Sequence, residues 1–114
     1  MAEPIISEDP LYRLLRDGKM VEFNQRVAAG EKPELTGCDF RHINLQSINA
    51  QGLDFTNSYF RQADLRGVDL TQCQSLEGTS FHGAKISGCY FPSAIRADEI
   101  LLSLEHGTRV RYTS

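Results

Sequence analysis

From Leu35 to Phe91 an apolar residue returns at every fifth position, and this recurrence limits the fold more than any other property of the chain. The column reads Leu35, Phe40, Leu45, Ala50, Phe55, Phe60, Leu65, Leu70, Leu76, Phe81, Ile86 and Phe91, with one residue inserted near Cys73–Ser75. Against an apolar background of 40%, twelve such hits in a row arise by chance on the order of once in a hundred thousand trials. The column two residues earlier is small or apolar as well: Pro33, Cys38, Ile43, Ile48, Leu53, Ser58, Ala63, Val68, Thr79, Ala84 and Cys89. In the other three columns Tyr59 and Tyr90 are the only apolar residues. Two inward and three outward positions in five match neither the 3.6-residue period of a helix nor the two-residue period of a strand.

Segments such as Cys38-Asp39-Phe40-Arg41-His42, Ala63-Asp64-Leu65-Arg66-Gly67, Val68-Asp69-Leu70-Thr71-Gln72 and Ala84-Lys85-Ile86-Ser87-Gly88 resemble pentapeptide repeats: a small residue, Asp or Asn, Leu or Phe, then two polar residues. The resemblance covers Pro33–Ser93. It implies a β-solenoid, a right-handed four-sided pentapeptide-repeat β-helix of about three coils, four units to a coil. A fourfold winding sorts the apolar column consistently: Phe40, Phe60 and Phe81 fall on one side, and Leu45, Leu65 and Ile86 on the next. The extra residue then reads as a bulge at one corner, with Cys73 inward and Gln74-Ser75 arching out. Gly37, Gly52, Gly67, Gly78, Gly83 and Gly88 close their units and serve corners, not a phosphate loop.

A coil cannot cover its own open edge, so a short stack needs caps. Asp9-Pro10 is a helix start, with Leu11, Leu14 and Leu15 on one face and Gly18 as the stop. A second helix over about Lys19–Ala29 carries Met20, Phe23 and Val27 and ends at Gly30. The segment from Asp17 to Leu35 has a likeness to half an ankyrin unit, but nothing recurs at 33 residues, so the helix pair is read as a cap. Beyond Pro92, Asp98 and Glu99 occupy the first turn of a third helix, whose expected buried stripe is Ala97, Ile100, Leu101 and Leu104 and whose stop is Gly107. The tail Arg109–Tyr112 alternates and is expected to add a strand or wrap the cap. The 114 residues form one domain: 1–32 the N-terminal cap, 33–93 the repeats, 94–114 the C-terminal helix and tail.

The net charge of -3 is spread evenly, with 6 acids and 4 bases in residues 33–93. No stretch is basic enough to track phosphates. Three cysteines without CxxC spacing indicate neither a disulfide framework nor a zinc site. With acidic residues at Glu3, Glu8 and Asp9 and no apolar leader, a cytoplasmic setting is expected. His42, His82 and His106 lack ligand spacing, and Cys38, Cys73 and Cys89 fall inward as inert thiols. No catalytic, metal or cofactor-binding residues are expected.

The candidate interaction surface is Arg41, Arg61 and His82, equivalent outward positions on one side, with Asp39 and Asp64 as local partners, together with the exposed Tyr90 and Leu102 near the C-terminal cap. The expected function is a non-enzymatic structural or protein-interaction module of unknown partner, without direct nucleic-acid or membrane contact, either monomeric or a homodimer through the C-terminal cap. Some members of the family resemble duplex DNA and modulate a topoisomerase such as gyrase, which is the alternative the resemblance implies.

Overall fold

A computed structural model describes residues 3–113. Helix α1 spans Pro10–Arg16, and the Asp9 carboxylate accepts the amides of Leu11 and Tyr12, two of the donors that a helix start leaves without partners. Helix α2 spans Met20–Ala28 and turns Met20 and Phe23 inward. The pair lies on the first coil. Tyr12 Oη donates to the Asp39 carbonyl, Asn24 Nδ2 donates to Ser47 O at 2.9 Å, and Asn24 Oδ1 accepts from Asn49 N at 3.0 Å. Ile5, which the repeat pattern did not foretell, pairs in parallel with Cys38, its amide donating to Gly37 O at 2.8 Å.

From Leu35 to Phe91 the backbone winds so that residues 20 or 21 apart are neighbours. Parallel bridges join Asp39 to Tyr59, Asn44 to Asp64, Tyr59 to Ser80, Asp64 to Lys85 and Asp69 to Tyr90. Among the described residues these bridges stay isolated and no continuous strand forms, because each side is only a few residues long before the chain turns again. The Phe40, Phe60 and Phe81 rings stack inside, 5.1 and 5.3 Å between centroids and 9° from parallel at both steps. Phe55 meets Phe40 and Phe60 edge-on, so the aromatic core links two sides.

The polar columns build the corners. Where the residue before the inward apolar side chain is Asp or Asn, it accepts the amide two positions on: Asp39 from Arg41, Asn44 from Gln46, Asn49 from Gln51, Asp54 from Thr56, Asp64 from Arg66 and Asp69 from Thr71, at 2.9 to 3.2 Å, or 2.8 Å for the last. This is why Asp and Asn recur there: a short side-chain acceptor closes the turn on its own backbone. Except at Gln72, ahead of the insertion, the last residue of each unit from Gly37 to Gly88 takes a left-handed φ, supplied by glycine at Gly67 (76°) but also adopted by His42 (62°), Asn57 (62°) and Gln62 (57°).

The inserted residue makes the expected bulge. In a regular unit one residue both donates downward and accepts from below, as Tyr59 does with Cys38 O and Phe40 N. At the insertion the work is divided, Gln74 N donating to Leu53 O (2.7 Å) and Ser75 O accepting from Phe55 N (2.9 Å). Two residues oppose one, and the register shifts from 20 to 21.

Helix α3 spans Ala97–His106, with Gly107 left-handed at its end (φ 74°). Its inward face differs from the expected stripe. Ser103 is fully buried at the centre, flanked by half-buried Ile100 and Leu104, whereas Ala97 is exposed and Leu101 is 57% exposed. A hydroxyl takes the central place because the coil below presents a free amide there: Phe81 N donates to Ser103 Oγ at 2.8 Å. The tail wraps the cap and pairs, Tyr112 bridging Ile95 in antiparallel sense and Val110 becoming fully buried.

Candidate interaction surface

Arg41, Arg61 and His82 follow the stacked phenylalanines Phe40, Phe60 and Phe81, so one side of the coil stack carries all three. Their partners differ. The Arg41 guanidinium grips Asp39 through Nε and Nη2, both at 3.0 Å to Oδ2. Asp64, expected as a partner of the ladder, instead binds Arg66 at 2.7 Å, which holds its carboxyl below the usual carboxylate range. The reason is spacing, since Arg66 is two residues from Asp64 on the same corner. Arg61 forms no ion pair among the described residues. His82 is half-buried, with Nδ1 enclosed and unpaired, and packs beside Gly107. The ladder is thus one paired arginine, one unpaired arginine and one tucked histidine, not three equivalent cations.

Tyr59 does not stand bare on the surface as its column suggested. Arg109 stacks on its ring, with Cζ 4.8 Å from the centroid, while Nη2 donates to Tyr59 Oη and Nη1 to Gly78 O. Tyr90 (64%) and Leu102 (45%) are exposed as expected, and Leu101 joins them.

The thiols are inert by environment. Burial, reinforced by Asp9, Glu34 and Asp39, pushes Cys38 up to about 11; burial also raises Cys73 to about 11 and Cys89 to about 12. A groove of about 430 Å³ runs between the end of α2 and the coils, bordered by Val27, Glu31, Lys32, Leu53, Asp54 and Gln74. Glu31 is already bound to Arg26 at 2.8 Å.

The C-terminal end is covered on two sides only. Leu76 N donates to Tyr112 Oη, Gly78 N to Val110 O, Phe81 N to Ser103 Oγ and Gly83 N to Leu104 O, so each of these end-facing amides has a partner. On the following two sides Ile86 N, Gly88 N and Phe91 N find none among the described residues, nor do the carbonyls of Ala84 and Cys89. In the coil below, the matching amides of Leu65, Gly67 and Leu70 donate to Lys85, Ser87 and Tyr90. The side chains agree: Leu76 and Phe81 are fully buried, while Ala84, Ile86, Cys89 and Phe91 are half-buried.

A protein-family model for pentapeptide repeats matches residues 34–73 in eight copies. The chain carries pentapeptide repeats. Searches of curated proteins and of solved structures gave no match. The family match stops at Cys73, where the bulge begins, and the third coil departs from the repeat pattern in a physically coherent way. None of Ser75, Ser80, Lys85 and Tyr90 is the Asp or Asn that braces a corner in the earlier coils, on the covered and uncovered sides alike. Sequence periodicity could not single out this edge, because the pentapeptide repeats place Ile86 and Phe91 in the same column as every covered residue. None of the helices among the described residues is long and apolar enough to cross a membrane.

Proposed function

We propose that the chain is a non-enzymatic protein-interaction module, a single β-solenoid domain of three coils between a helical cap at 1–32 and a helix and tail at 94–114, working in the reducing cytoplasm. The observation that carries this is the Phe40, Phe60 and Phe81 stack, which fills the interior with side chains and leaves the polar columns on the outside of a regularly wound backbone. Side chains held at fixed spacing lose little freedom on binding, which favours recognition. The topoisomerase-modulator alternative calls for a strongly negative rod. Here Asp39 and Asp64 are neutralised by Arg41 and Arg66, and no feature of the surface favours it.

The test is to recover bound proteins from native extract, reconstitute the pair from purified components and map the footprint by amide exchange. A stoichiometric complex with a footprint on the solenoid or its C-terminal end supports the module. Turnover of a small molecule that is lost on mutating a group in the structure overturns it.

A further inference from the structure

The half-covered C-terminal end offers three backbone donors and two backbone acceptors in a row: Ile86 N, Gly88 N, Phe91 N, Ala84 O and Cys89 O. Around them lie half-buried Ile86, Cys89 and Phe91 and exposed Tyr90. We propose that this edge is a docking site for an extended segment of a partner protein, which adds to the solenoid as the next half-coil.

The kind of occupant follows from the chemistry of the edge. Alternating donors and acceptors along a parallel edge are satisfied together only by another extended backbone. The chain demonstrates this on the adjoining side, where its own extended tail donates from Val110 N to Thr79 O and accepts from Gly78 N at Val110 O, both at 2.9 Å. Between Ala84 and Phe91 the edge has no proline and no bulge, and neither the tail nor α3 covers it, so exposed Lys85 is the one usual edge guard it carries. A single extended segment is the occupant this end already accepts, since the tail pairs in that way at Gly78 and Thr79. The proposal rests on the interaction reading above and names the site within it.

The probe is a synthetic peptide with the sequence of Ala63–Gln72, the segment that runs beneath the open edge one coil down. In register, its residues equivalent to Asp64, Arg66 and Asp69 meet Ile86, Gly88 and Phe91. Amide exchange of the whole protein is followed with and without peptide. The expected result is slowing at Ile86, Gly88 and Phe91, about tenfold at about 90% occupancy since exchange proceeds through the free state, with Leu76, Gly78, Phe81 and Gly83 unchanged. The same peptide carrying Asp64→Pro and Asp69→Pro, which removes the amides aimed at Ala84 and Cys89, is expected to leave all of these unmoved. Unaltered exchange at saturating peptide overturns the proposal, as does equal protection by the proline peptide. Protection of the three amides in the free protein, rising with a doubling of mass, assigns the edge to a second copy and overturns it too. A partner whose footprint lies on the Arg41 and Arg61 side removes this site while leaving the module intact.

Discussion

Ser103 Oγ accepts the amide of Phe81 across 2.8 Å, joining helix α3 to the open top of the phenylalanine stack. Both residues are fully buried, so the bond has no competitor from water. Ser103→Ala leaves the Phe81 amide unpaired in the interior and is expected to destabilise the protein by about 1–3 kcal/mol. Urea denaturation measures this, and a loss within error of zero shows that the Ser103 hydroxyl contributes nothing net to holding α3.

Phe60 sits in the middle of the stack, touching Phe40, Phe55 and Phe81 within 5.3 Å between centroids. Phe60→Ala opens a cavity that rigid coils above and below cannot close, and is expected to cost about 3–5 kcal/mol. A stability of about 5–15 kcal/mol is typical of a domain, so a large fall in Tm is expected. Phe60→Leu is expected to cost less, because most of the volume remains.

Gln62 closes its unit at a φ of 57°, a left-handed conformation that costs a side-chain-bearing residue of its kind about 1 kcal/mol. Gln62→Gly removes that strain, at the expense of a more flexible unfolded chain. The net expectation is a gain of about 0.5 kcal/mol, read as a small rise in Tm.

The three thiols should resist modification in the native state. With Cys38 and Cys73 raised to about 11 and Cys89 to about 12, thiolate is scarce at pH 8. A disulfide reagent is expected to label none of them quickly until urea is added, when all three react. The sign of the linkage follows: the folded state holds these protons more tightly than the unfolded one, so stability is full below the ordinary thiol range and declines as pH rises through it toward 11 and 12.

Acid acts in the opposite direction. Arg111 beside Glu99, and Arg66 beside Asp64, hold those carboxyls below their usual range. Their stabilisation is present above the ordinary carboxyl range and is lost as pH falls through the lowered values. Glu99→Gln is expected to flatten the acid limb of a stability-against-pH curve, since the tail is then tied by a neutral side chain. An unchanged limb shows that Glu99 has the same proton affinity folded and unfolded.

Much of this was legible because a five-residue period is a local rule repeated many times. Leu35 to Phe91 named the inward column, Asp9 and Gly107 marked helix ends, and the odd residue near Cys73 announced the bulge. Pairwise choices were less legible. Asp64 turned to Arg66 instead of the ladder because a partner two residues away on one corner wins over one reached across coils, and Tyr59 was claimed by Arg109, distant in sequence.

The period and the local helix signals determined which columns are apolar and where the caps begin, while the winding was what the resemblance to pentapeptide repeats implied. Tertiary structure decided what happens at the ends, where the period no longer applies. Only the placed backbone shows that Val110, Tyr112, Ser103 and Leu104 meet the amides of two sides and leave Ile86, Gly88 and Phe91 open, because a hydrogen bond depends on which groups arrive within about 3 Å of one another.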